Sequence, residues 1–186
     1  APWYSGLAQG QGVSVLVRAH QETGDEMYLE ASHQAFRAFE LDLEEGGVRY
    51  TDKDGNVWIE EAIVSPPTHI LNGFLWAAWG IHDYWLHTEN TGAERLLGQV
   101  RRTLKNKLGT YDVGFWSLYE HSGTRMKMLA SPFYHSLHIV QLRVMYRLTG
   151  EQIFADYADL WSQYQLDWVK RKMAFIYKIA FKLLYY

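Results

Sequence analysis

The stretch Tyr134-His135-Ser136-Leu137-His138-Ile139-Val140-Gln141-Leu142-Arg143-Val144-Met145-Tyr146-Arg147-Leu148-Thr149-Gly150 decides the fold class. Leu137, Val140, Val144 and Leu148 recur at steps of three and four, the period of one helical face. Gly150 is the residue type favoured just past a helix end, because it takes a left-handed backbone without a Cβ clash. Beyond it Phe154, Tyr157, Trp161 and Tyr164 restart the same period. Two helices with so short a break between them read as an antiparallel helical hairpin.

The same signature recurs upstream. Thr-Gly also stands at Thr23-Gly24 and Thr91-Gly92, each between helical runs, a weak internal repeat with offsets of 68 and 58 residues. Leu71, Leu75, Ala78 and Trp85 keep helical spacing, as do Leu96, Val100, Leu104 and Leu108. Helices are expected near 4–20, 26–41, 67–86, 92–107, 134–148 and 151–168. Between them, Val48–Tyr50 and Val57–Ile59 flank an Asp-Gly turn and predict a β-hairpin. Gly114–Tyr119 and Met126–Leu129 predict a second one. The expected fold is all-α: an incomplete α/α toroid of antiparallel helical hairpins, the first helix of each pair inside, with two short inserted β-hairpins.

Composition limits function. The 186 residues carry 18 Lys and Arg against 21 Asp and Glu, a net −3, which gives no bulk attraction to nucleic acid. Cysteine is absent, removing disulfides, thiol nucleophiles and Cys-based zinc sites. The N-terminal Ala-Pro-Trp-Tyr-Ser has neither a basic start nor an apolar run, so no signal peptide is expected in this chain. No uncharged apolar run reaches membrane-spanning length either. Aromatic residues reach 16 %, a composition that suits a carbohydrate groove and equally a large helical core.

Polar residues gather near the start of the first helix of each pair. Gln9 and Gln11 stand in the first, His69 and Asn72 in the second just after Glu60-Glu61, and Tyr134, His135 and His138 in the third. Parallel inner helices would bring these starts to one rim, as a concave polar site. Each residue alone also reads as a cap, a core group or a surface group. His135 and His138, three apart on one face, lack a carboxylate partner, so no metal is assigned.

These residues fall into four ordered blocks. They are Trp3-Tyr4-Ser5 with Ala8-Gln9-Gly10-Gln11; Glu60-Glu61 with Pro66 and Leu71-Asn72-Gly73-Phe74; Tyr111-Asp112-x-Gly114 with Tyr119; and Tyr134-His135-x-x-His138-Ile139-x-Gln141-Leu142. Together they resemble the C-terminal α/α domain of the D-glucuronyl C5-epimerases, over about three quarters of the chain. The resemblance implies inversion of C5 in glucuronate units of a heparan- or heparosan-like polysaccharide, without nucleotide or redox cofactor. It places catalytic groups on Glu61, Tyr119 and Tyr134. Substrate contact falls on Asn72, with Gln9, Gln11, His69, His135 and His138 as further candidates. A uronate lyase and a non-catalytic glycan-binding module are the alternatives. Two departures stand out: the family's Tyr after the Glu pair is Ala62, and the family's Arg after the first late Tyr has no clear counterpart, Arg125 being nearest.

Residues 1–168 read as this α/α domain and 169–186 as a tail helix. From Trp168 onward there are five basic residues and no acidic one, with Arg171, Lys178 and Lys182 on one stripe. Such a helix suits an anionic membrane surface, or packing on the domain or on a second subunit.

Overall fold

The computed structural model describes residues 4–185; Trp3 of the first motif and Tyr186 of the tail lie outside the described residues. Seven α-helices and one two-stranded sheet follow in chain order. They are α1 (Gly6–Thr23), α2 (Glu26–Glu40), β1 (Arg49–Thr51), β2 (Val57–Ile59), α3 (Leu71–Thr88), α4 (Thr91–Lys107), α5 (Pro132–Thr149), α6 (Gln152–Leu166) and α7 (Trp168–Tyr185). The chain forms two compact units, Ala1–Leu104 and Lys105–Tyr186.

In the first unit α1 packs on both α2 and α3. Gly10 and Gly80 are why α1 and α3 come so close. A Cβ on Gly10 would lie 2.8 Å from the Trp76 carbonyl oxygen and 2.9 Å from Ala77 Cα. A Cβ on Gly80 would strike the Gly10 backbone. Gly10 of the first motif is therefore a packing residue. Gly12, two positions on, has nothing within 4 Å of its missing Cβ. Gly12→Ala should stabilise the protein by about 0.5–1 kcal/mol through helix propensity. Gly10→Ala should destabilise it by about 1–3 kcal/mol through overpacking against backbone that cannot give way. Thermal melts of the two variants check the opposite signs.

Ser5 caps α1 by accepting from Ala8 N–H, and Gly6 N–H donates to the Glu60 carbonyl at 2.8 Å. The helix start is thus tied to the end of β2. The β1–β2 hairpin forms as its sequence predicts, with Gly55 at φ 78°. Burial would raise the Asp52 carboxyl, but N–H groups of Asn56, Trp58 and Asp54 together hold it down at about 2.

In the second unit α6 packs on α5 and on α7. Gly24 and Gly150 take the left-handed conformation that ends α1 and α5. Three expectations need correction. Gly92 lies inside the first turn of α4, because Glu89 takes the left-handed position (φ 52°) and Asn90 caps the next helix through Ala93 N–H at 2.9 Å. The second hairpin reduces to an isolated Leu118–Leu129 bridge, with Tyr119 N–H to the Met128 carbonyl and Ala130 N–H to the Ser117 carbonyl. Among the described residues the β1–β2 sheet is the only one. Finally, the buried stripe of α5 is His135, His138, Ile139, Leu142 and Met145, whereas Val140 and Leu148 are 56 % and 42 % exposed.

Candidate active site

In the first unit, the segment after β2 places two carboxylates in different roles. Glu60 is fully buried, and both its oxygens engage His69: one accepts the backbone N–H at 3.0 Å, the other pairs with ring Nδ1. His69 sits at φ 52° and stacks on Trp58 with centroids 4.0 Å apart. A non-glycine residue in that region carries about 1–3 kcal/mol of strain, held here by the Glu60 clasp and the Trp58 face. The pair fixes the turn that leads into α3.

Glu61 points to the opening turn of α3. Asn72 Nδ2 donates to its Oε2 at 3.4 Å. Gly73 supplies the room: a Cβ there would lie 2.6 Å from Glu61 Cβ and would overlap the carboxylate itself. A carboxylate at a helix N-terminus meets the positive end of the peptide dipoles, so the anion is electrostatically favoured there. Glu61 is half-buried and Asn72 is buried. Gln9 is half-buried on α1, Gln11 is exposed, and Ala62 is half-buried beside Glu61.

In the second unit, Ser131 caps α5 by accepting from Tyr134 N–H at 3.2 Å, with Pro132 preset for the first turn. Tyr134 meets Tyr119 edge to face, ring centroids 4.8 Å apart at 61°. Both are half-buried. The Tyr111–Asp112 block builds the segment that delivers Tyr119. Asp112 accepts from Gly114 N–H at 2.8 Å and from the Tyr164 hydroxyl at 3.3 Å, and the Tyr111 carbonyl accepts from Leu118 N–H. Burial first, then the Asp112 charge, pushes the Tyr164 phenol up to about 12.

His135 and His138 turn inward. Both are fully buried, and both Nδ1 atoms meet the Ser117 hydroxyl, at 2.7 and 3.1 Å. His135 Nε2 faces the Trp161 carbonyl at 3.0 Å and must carry the proton. Its Nδ1 then accepts from Ser117 N–H and O–H, so the Ser117 oxygen takes its second bond from His138 Nδ1–H. Burial pushes His135 down to about 4, against the Trp161 bond; burial and the neighbouring His135 push His138 down to about 3. Both rings are neutral near pH 7 and act as braces for Ser117 and the strand-like segment to Tyr119. Among the described residues no three His, Cys, Asp or Glu side chains gather as a metal site requires.

Glu60, Gly73 and Ser117 escaped the sequence reading as supports of this arrangement. The signal available for the histidines was their place at i and i+3 on the stripe continued by Ile139, Leu142 and Met145.

The paired helices are those of an α/α toroid fold. The chain aligns with a GH76 α-mannanase of Bacteroides thetaiotaomicron at TM-score 0.59 and 13 % identity, over 86 % of this chain and 42 % of that one. It aligns with cellobiose 2-epimerase from Spirochaeta thermophila at TM-score 0.60 and 14 % identity, with the same coverages of 86 % and 42 %. These likenesses concern the fold.

Family membership comes from sequence. Residues 1–163 match the family defined as the D-glucuronyl C5-epimerase C-terminus, and the chain belongs to it. It is 30 % identical to the D-glucuronyl C5-epimerase of Caenorhabditis elegans, over 87 % of this chain and 29 % of that protein. It is 32 % identical to an uncharacterised protein of Methanocaldococcus jannaschii, over 87 % of this chain and 52 % of that protein. The chain thus spans between about a third and a half of these relatives.

Proposed function

We propose that this chain is the catalytic C-terminal part of a carbohydrate epimerase that inverts C5 of glucuronate within a polysaccharide, giving iduronate. The observation that carries the reading is the Tyr119–Tyr134 pair, whose rings stand 4.8 Å apart although the residues come from different elements. Family membership supports it. The C5 proton lies next to a carboxylate, so its removal yields an enediolate whose charge needs donors. Asn72, Gln9 and His69 are the proposed donors. One group removes the proton from one face of the sugar and a second returns a proton to the other, with no net redox change. In this reading Glu61 and Tyr134 are the proton-transfer groups. A free phenol ionises near pH 10, so a Tyr base needs a donor to its phenolate. Tyr119 is that donor. His135 and His138 position the Tyr119 segment through Ser117.

Ala62 favours a second reading, a binding module that holds uronate chains without chemistry, because position 62 has no titratable atom. The two separate in deuterated water with a heparosan-type polysaccharide. Epimerisation places deuterium at C5 and leaves chain length unchanged. Binding without exchange would establish the module, and an unsaturated product absorbing in the ultraviolet would establish a lyase, since the same carbanion can expel the C4 substituent.

A further inference from the structure

The charge of this chain is unevenly placed. Residues 168–186 hold five of the 18 cations and none of the 21 anions; the remainder holds 13 cations and 21 anions, a net −8. The cationic segment is α7, which docks by one face only. Ala174 and Phe181 are its buried residues, and the hydroxyls of Tyr177 and Tyr185 accept from Lys127 and Met126 N–H at 3.1 Å.

The opposite face is apolar and open to solvent. Val169, Met173, Ile176 and Leu183 follow the three-to-four step and are all exposed, Leu183 by 81 %. Trp168, at 67 % exposure, begins the helix. Two cations are held by the unit itself: Lys170 lies 3.9 Å over the Tyr164 ring, and Lys178 donates to the Leu129 carbonyl at 2.8 Å. Arg171, Lys172 and Lys182 are exposed. A groove of about 1400 Å³ beside the helix has Phe133, Leu166 and Phe175 among its walls together with Arg171 and Lys182.

Self-association through this face would cover the aliphatic stripe but leave the exposed Arg171, Lys172 and Lys182 unpaired, because α7 offers no acidic residue for an interhelical pair. An anionic lipid surface complements both features: headgroups meet the cations, and the acyl boundary takes the aliphatic face. No described helix is long and apolar enough to cross a membrane. We propose that α7 lies in the plane of an anionic bilayer and docks the protein there as a peripheral membrane protein, independently of what the α/α domain catalyses.

Flotation of the full chain with phosphatidylcholine vesicles, with and without 30 % phosphatidylglycerol, tests this. Binding is expected to the anionic vesicles and to fall with salt. Arg171→Gln with Lys182→Gln should lower partitioning about twenty- to thirty-fold, at about fivefold per lost cation. Ile176→Ser with Leu183→Ser should lower it comparably and leave circular dichroism unchanged, both residues being exposed. The idea is overturned by equal binding to neutral and anionic vesicles or by absence of binding. It is equally overturned by a dimer in sedimentation that the apolar variant abolishes, or by soluble anionic polysaccharide capturing the helix while vesicles do not.

Discussion

Acidification from pH 7.5 to pH 5 should cost the folded protein about 4 kcal/mol through His135 and His138 alone. The sign follows from the two states. Unfolded, each imidazole takes a proton near pH 6.5; folded, they resist until about 4 and about 3 because burial disfavours the cation. Between those limits the unfolded chain binds more protons, so stability is complete above 6.5 and is lost as pH falls toward the folded values. Each ring then contributes a slope approaching about 1.4 kcal/mol per pH unit. Against a usual total of about 5–15 kcal/mol, that loss would move a melting midpoint by many degrees. Denaturant titrations at half-unit pH steps measure it. In His138→Leu the stability at pH 7.5 should drop, because Ser117 loses a donor, and the slope between pH 6.5 and 5 should roughly halve. A slope unchanged in that variant would show that His138 is not the buried neutral base described.

In the sequence these histidines are candidate substrate contacts; the structure buries both rings. A His three residues after another, beside a Tyr at a helix start, carries the same letters whether it faces ligand or core. The choice turned on which stripe of α5 is buried. Aliphatic content favoured Leu137, Val140, Val144 and Leu148, yet the buried stripe includes two imidazoles and Gln141. Polar residues can occupy a buried stripe when their hydrogen bonds close locally, as the Ser117 hydroxyl and the Trp161 carbonyl allow here.

Helix existence was legible because amphipathic periodicity and Gly24 and Gly150 act within one turn of the chain. The failures share a non-local cause. The start of α3 slipped from 67 to Leu71 because the Glu60–His69 clasp holds the preceding residues out of the helix, and that clasp spans nine residues. The second hairpin shrank to one bridge because Asp112 bonds to Gly114 N–H and Tyr164, which sets the path of the chain before any strand pairing. The Gly10–Gly80 approach joins positions 70 apart and has no local signature. For the candidate site, motif order supplied Glu61, Tyr119 and Tyr134, while the groups that orient them became visible only from contacts.

In the proposed epimerisation Glu61→Gln is expected to lower C5 exchange by about 10²–10⁴-fold, since the amide keeps the shape and cannot take a proton. The Asn72 contact at 3.4 Å would persist to the amide oxygen, so glycan binding should change little. Tyr134→Phe should lower exchange by a similar factor, with its ring still packed on Tyr119. Tyr119→Phe should have a smaller effect, because it removes a neighbouring hydroxyl and leaves Tyr134 itself in place. Ala62 then decides how the site works. Position 62 is half-buried next to Glu61 and carries no titratable atom, so in the proposed epimerisation proton transfer falls to Glu61 and Tyr134 alone. Ala62→Tyr should raise exchange if the added phenol supplies a proton-transfer group beside Glu61. If the added phenol instead blocks binding of the polysaccharide, the surroundings of position 62 suit a different chain. Exchange that is unchanged in both Glu61→Gln and Tyr134→Phe would remove the catalytic proposal and leave the uronate-binding module as the function of this fold.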